Sequence, residues 1–211
     1  MIDKLKEIWS KLAPYRDVII FVVALFVSNG IWKLCVHGDE DNVAVTILGL
    51  DVTAFFQWMS EVTANAVFWL VSLFRDTIYQ ADAITLKFVS GSGSKIVWSC
   101  TPIKQSFIWL CIMLVTIGDW KSKSWFIPFG WVCIFLFNIL RIAAITLFIE
   151  FHPDWFDILH TYIFKYIFYG MMFLLWVWYV EKIRTVKSRK SKAEKIRESG
   201  VGGDKARELA E

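Results

Sequence analysis

Read from its amino terminus, the chain alternates long apolar runs with short polar breaks. Four runs, roughly 18–36, 98–120, 125–150 and 157–180, reach the ~20 residues that a helix needs to cross a hydrocarbon core of ~30 Å. A fifth run, 52–74, is apolar enough to span, but Gln57, Glu61, Asn65, Ser72 and Arg75 fall near one face of it. That pattern suits a helix lying in the outer interface or packed against the bundle there, with a further crossing as the other reading. After it, ITLKFVS-GSGS-KIVW reads as two short strands joined by a Gly-Ser turn, an outward-facing β-hairpin over 84–99. From 181 onward the chain is hydrophilic and suited to a helix as far as Gly200, with Gly202-Gly203 as a breaker. The predicted fold class is therefore an all-α integral membrane bundle of about four transmembrane helices, with one interfacial or fifth helix and the hairpin. A membrane-embedded domain 1–180 precedes a basic cytoplasmic tail 181–211.

Composition strengthens this reading. Hydrophobic residues make up 56% of the 211, 36 are Phe, Trp or Tyr, and the mean hydropathy is +0.49. Sixteen of the 43 charged residues crowd into 181–211, too few remaining elsewhere to coat a soluble globule of this size. Lys and Arg alternate between the breaks. Lys4, Lys6, Lys11 and Arg16 precede the first run, Lys121 and Lys123 separate the second from the third, and ten follow the last, while 37–51 and 151–156 have none. The positive-inside rule puts the N-terminus, the 121–124 loop and the tail in the cytoplasm. The net charge of +3 comes largely from the tail and carries no argument for a nucleic-acid partner. Cys35, Cys100, Cys111 and Cys133 form no C-x-x-C pair, and His37, His152 and His160 are scattered. No Gly-rich phosphate loop, internal repeat or cleavable signal sequence is evident, and no metal or cofactor is expected.

Three polar positions need a reason. An ionisable side chain at mid-membrane costs about 2.5–3.5 kcal/mol on insertion scales. Arg141, in FNILRIAAITLF, is expected about 10 Å below the outer boundary, with Asn138 on the same helical face. His160 opens the last run, three residues after Asp157, whose carboxylate is placed to orient the ring as a general base requires. Cys100, in IVWSCTPIKQSF, differs from the other cysteines, which lie in apolar runs. Thr101 is expected as the N-cap and Pro102 at the first helical position. The thiol then sits at the positive end of a helix dipole with Lys104 one turn on, both favouring thiolate. Taken singly, each fits a structural role: a snorkelling Arg, an interfacial His, a small apolar Cys. The loop charges nevertheless bring all three to one depth at the outer face, where thiol, imidazole and guanidinium suffice for acyl transfer.

At these residues the sequence resembles the exosortase/archaeosortase family of membrane cysteine transpeptidases. Its hallmarks are a Cys at the outer start of one helix, an Asn-x-x-Arg motif on the next and a His on the one after. They correspond to Cys100 in SCTPIKQSF, Asn138 and Arg141 in FNILRI, and His160 in ILHTYIFKYIFYG, across about residues 80–180. The family usually has a small residue, often Gly, two positions after the Cys, where this chain has Pro102. Lacking an amide hydrogen, Pro102 leaves oxyanion stabilisation to Arg141 and the Thr101 amide. The resemblance implies Cys100, Arg141 and His160 as catalytic residues. It implies exported proteins with a C-terminal sorting helix as substrates and a lipid or glycan precursor as acceptor. The site would face the periplasm or cell exterior from a multi-pass position in the cell inner membrane. The principal alternative is a non-enzymatic membrane scaffold or assembly subunit, in which Arg141 and His160 merely join helices.

Overall fold

A computed structural model describes residues 15–38, 44–152, 155 and 163–198. The chain divides into two compact units, Met1–Phe168 and Tyr169–Glu211. In order, the first contains α1 (Arg16–Cys35), β1 (Val36–Gly38), β2 (Val45–Ile47), β3 (Leu50–Asp51) and α2 (Thr53–Ser72). It continues with β4 (Ile78–Asp82), β5 (Thr85–Phe88), β6 (Gly93–Lys95), a 3-10 turn at Trp98–Cys100, α3 (Ile103–Val115) and α4 (Trp120–Ile149). The helix α5 (Phe164–Glu198) begins in the first unit and forms the described part of the second.

This architecture corrects the expected all-α bundle of about four crossings. Besides five α-helices, the described residues form two three-stranded antiparallel sheets, ordered β1-β2-β3 and β4-β5-β6. Among the described residues, two helices, α1 and α4, are long and apolar enough to cross a membrane. The run 98–120 falls short because the 3-10 turn and an extended Thr101 consume its start, while Thr116 turns extended at its end. The 13 residues of α3 that remain rise only about 20 Å. In the last run the described α-helix begins at Phe164, carries Lys165 and five Trp or Tyr residues, and runs unbroken into the charged stretch from Glu181. The polar positions of 52–74 leave α2 outside the pair, although it is a 20-residue helix. The 121–124 loop is also absent: Asp119 takes the N-cap position, and Lys121 and Lys123 lie in the first turn of α4.

Neither the first sheet nor β4 was expected from the sequence. The β2–β3 connection is a two-residue turn in which Leu48 (φ 50°) and Gly49 (φ 85°) both adopt positive φ. A tight hairpin needs that conformation, and Asn-Gly or Asp-Gly normally signals it. Here Leu replaces the signal and Gly49 alone supplies the freedom. The 84–99 hairpin exists as β5–β6, with Leu86 opposite Ser94, but β4 adds a third strand along β5. At the β4–β5 turn, the Ile84 amide donates to Asp82 Oδ1 at 2.9 Å and, with the Thr85 hydroxyl, holds that carboxyl below the usual Asp range.

The buried face of α4 organises the first unit. Lys123, Phe126, Gly130, Ile134, Asn138, Arg141, Ile145 and Ile149 recur every three or four residues. Its first half packs on α3. Trp109 stacks near Phe126 at 6.0 Å, Trp131 Nε1 donates to the Ser106 carbonyl at 3.1 Å, and Lys123 Nζ donates to the Leu114 carbonyl at 3.1 Å. The last bond satisfies an orphan carbonyl at the C-terminus of α3, where a cation is also favoured by the helix dipole. Its second half packs on α2 and the second sheet through Ala64, Val67, Val71, Leu86, Phe88, Ile142 and Ala143. Ser94 Oγ and Thr146 Oγ1 lie 3.0 Å apart between that sheet and α4.

Gly130 lets the two helices approach, since a Cβ there would overlap the indole of fully buried Trp109. Gly130→Ala is expected to lower stability by about 1–3 kcal/mol, as overpacking of a rigid neighbour does. Gly30→Ala in α1, where a Cβ meets nothing within 4 Å, is expected to be neutral or to stabilise by up to ~1 kcal/mol. Unfolding midpoints in detergent compare the two, and equal responses would remove Trp109–Gly130 as a packing constraint. By the same measurement Lys123→Met is expected to cost about 1–2 kcal/mol, because the Leu114 carbonyl loses its donor.

Candidate functional site

Two apolar clusters pin the turn that carries Cys100. Trp98 leans on the cluster of Trp32, Val36, Val45 and Phe56, its ring 6.0 Å from Phe56 in an edge-on arrangement. Gly38 lies against the same indole, where a Cβ would come within 2.6 Å of a ring carbon. Two residues on, Cys100 leans on the other cluster, formed by α2, the second sheet and α4. The turn is thus stretched between both sheets, and its backbone closes with the Cys100 amide donating to the Val97 carbonyl at 2.9 Å. Cys100 is half-buried and, like the other three cysteines, is not in a disulfide.

Thr101 does not cap α3. Its hydroxyl donates back to the Trp98 carbonyl at 2.7 Å, and its amide donates to the same oxygen at 3.1 Å. Pro102 occupies the N-cap position, one residue before the position expected for it, with no side-chain cap. The Thr101 amide is therefore committed to the turn, which corrects the expectation that it helps hold an oxyanion. Among the neighbours suggested by sequence, this leaves the donors of α4.

Those donors are in place. Asn138 Nδ2 donates to the Cys100 carbonyl at 2.9 Å, bridging 38 residues of sequence. One helical turn further, the Arg141 guanidinium lies within electrostatic range of the Cys100 thiol. Arg141 is 7% exposed and Asn138 1%, so neither reaches the surface. Of the two readings of Arg141, snorkelling does not occur: its guanidinium turns inward, 6.0 Å over the face of Phe168. Arg141 Nε and Asn138 Oδ1 are both buried with no hydrogen-bond partner among the described residues. Leaving such an atom unpaired costs about 1–3 kcal/mol.

Of the residues singled out in the sequence, Cys100, Asn138 and Arg141 meet, with Thr101 completing the turn. Lys104 lies in the first turn of α3, directly after the Cys100 turn. The charges that act on it are Lys33 at the end of α1 and Lys165 at the start of α5. His160 and Asp157, together with Pro153 and Asp154, lie outside the described residues. Phe168 and Trp98 were not read from the sequence as parts of the site. Phe168 carries no local signal, being one of many aromatics in its run. Trp98 passes for a belt tryptophan until its packing is seen.

The Asn138 bond makes a direct prediction. Asn138→Leu, of similar size but without a donor, is expected to cost about 1–3 kcal/mol through the unpaired Cys100 carbonyl. It is also expected to change the rate at which a soluble maleimide labels Cys100, while the labelling of Cys35 stays the same. An unchanged melting point and Cys100 rate would show that the bond does not hold the turn. No protein-family model, curated protein or solved structure matches the chain.

Proposed function

We propose that the chain is a membrane-embedded cysteine transpeptidase that cleaves the C-terminal sorting signal of exported proteins and passes the acyl group to an amine-bearing acceptor. In this reading Cys100 is the nucleophile, Arg141 the oxyanion stabiliser and His160 the general base. The observation that carries it is the junction of Cys100 with α4. Asn138 holds the carbonyl of the cysteine, and the buried Arg141, whose Nε has no hydrogen-bond partner among the described residues, interacts electrostatically with its thiol. The order Cys, Asn-x-x-Arg, His along the chain supports the same reading.

The chemistry follows from these groups. The Cys100 thiolate attacks the scissile carbonyl, and the oxygen that gains charge accepts a hydrogen bond from the buried Arg141 guanidinium. The C–N bond breaks as His160 delivers a proton to the leaving amine. The resulting thioester is then opened by the acceptor amine, which returns the thiol. Asn138 acts on the backbone of the nucleophile and so positions it.

Placement in the cell inner membrane with the site facing outward is part of the proposal. Along α1, Val18, Val22, Val23, Phe26, Val27 and Leu34 are exposed apolar side chains, a surface suited to acyl chains. One observation favours a purely structural role for Arg141, its seat over the Phe168 ring, which could serve to join α4 and α5.

Co-expression with a candidate sorting-signal protein, followed by mass spectrometry of its new C-terminus, tests the reading. Cys100→Ala and His160→Ala are expected to abolish processing, and Arg141→Lys to reduce it by about 10²–10³, the loss typical of one oxyanion donor. If Cys100→Ala, Arg141→Ala and His160→Ala in folded protein all process substrate at the parental rate, the transpeptidase reading fails and the structural one stands.

A further inference from the structure

A group of lysines lies beside the Cys100 turn and has no part in the chemistry above. Trp32 in the last turns of α1 packs on Phe107 of α3, ring centroids 5.5 Å apart, and Ile103 joins the same cluster. The end of α1 and the start of α3 therefore meet, which brings Lys33 beside Lys104. Lys165, in the first turn of α5, completes the group, for both Lys33 and Lys165 act electrostatically on Lys104. Lys104 is half-buried, whereas Lys33 and Lys165 are exposed. None of the three makes an ion pair among the described residues, where the pairs are Arg16–Asp17 and Arg75–Glu150. The ammonium groups of Lys33 and Lys165 both repel that of Lys104, which has also lost hydration, so an anion beside Lys104 relieves both costs.

The surroundings say which kind of anion. Lys33 is flanked by Ile31 and Leu34, exposed by 43% and 77%, and Lys165 by Ile163, Tyr166 and Ile167, exposed by 42%, 69% and 48%. Cations rimmed by bare apolar side chains match an amphiphile, whose phosphate meets the lysines while its chains lie on the apolar rim. The level is also right. Between Asp17 and Lys33, α1 has no charged residue, a stretch of about 24 Å at 1.5 Å per residue, so Lys33 falls near the edge of a hydrocarbon core of ~30 Å. A soluble phosphate or a nucleic acid would gain nothing from the rim.

We propose that Lys33, Lys104 and Lys165 form a binding site for the phosphate of an anionic phospholipid headgroup, next to the turn that carries Cys100. The site draws on the membrane placement proposed above but not on the cysteine chemistry, so lipid binding and processing are separable: Cys100→Ala keeps the first and loses the second.

Native mass spectrometry of the purified full chain, exchanged from detergent into equimolar phosphatidylglycerol and phosphatidylcholine, tests this. The wild-type chain is expected to retain phosphatidylglycerol preferentially, and each Lys→Gln substitution to weaken that preference by about fivefold. Lys33→Gln and Lys165→Gln change exposed residues, so they remain informative if the triple variant fails to fold. A third arm adds inorganic phosphate to the lipid-depleted chain in detergent and follows its melting point. It is expected to have no effect, whereas phosphatidylglycerol raises the midpoint. The proposal is overturned by equal retention of the two lipids, or by single variants that keep the preference. It is also overturned by stabilisation from inorganic phosphate equal to that from phosphatidylglycerol, which would assign the lysines to a free anion. Loss of stability in the lysine variants with an unchanged lipid preference would assign them to internal ion pairs and overturn it equally.

Discussion

The hydrogen bond from Asn138 Nδ2 to the Cys100 carbonyl is the constraint on which the candidate site depends. It joins a short 3-10 turn, which has little structure of its own, to the best-packed face of the longest helix in the first unit. A turn at the foot of a helix has several ways to lie. This one is fixed because its first residue, Trp98, is held by the cluster under the first sheet, and its last, Cys100, is held by α4. The bond is partly buried, and its loss leaves the Cys100 carbonyl without this donor.

The same helix face explains how an arginine can lie inside. Arg141 follows Asn138 by one turn on a seam that otherwise packs Ile134, Ile142, Ile145 and Ile149. A guanidinium there loses its hydration, and the ring of Phe168 offers part of the return through a cation–π contact. In the proposed function, the remainder is available for an acceptor that develops charge near Cys100. Burial that weakens the ground state and strengthens contact with a transient charge is how preorganised sites obtain their effect.

Much of the site was legible because chemistry-bearing residues are rare in this chain. Cys100 stood out among four cysteines by its Thr-Pro-Lys context, and Arg141 by being a charge within an apolar run. What those local rules missed was competition. Thr101 is a good N-cap by type, yet its hydroxyl and amide both return to the Trp98 carbonyl and close the turn instead. Lys104 follows Cys100 by one turn as its spacing implies, and the meeting of α1 and α3 adds Lys33 beside it, which spacing along the chain does not record.

Hydropathy by itself determined that the chain has helices apolar enough for lipid, and two of them, Arg16–Cys35 and Trp120–Ile149, carry that property in the folded structure. It determined the order Cys100, Asn138, Arg141, and the face that the last two share, since residues three apart on a helix lie together whatever surrounds them. Tertiary structure decided the rest. Apolar content does not record where a helix stops, so α3 ended after 13 residues, too short to cross. Nor does it record strand pairing, so the sheets, whose strands are two to five residues long and partly signalled by Leu48-Gly49, emerged only from contacts between segments. The inward turn of Arg141 was likewise decided by packing, because a long flexible side chain can reach either a surface or a core, and only the neighbours choose.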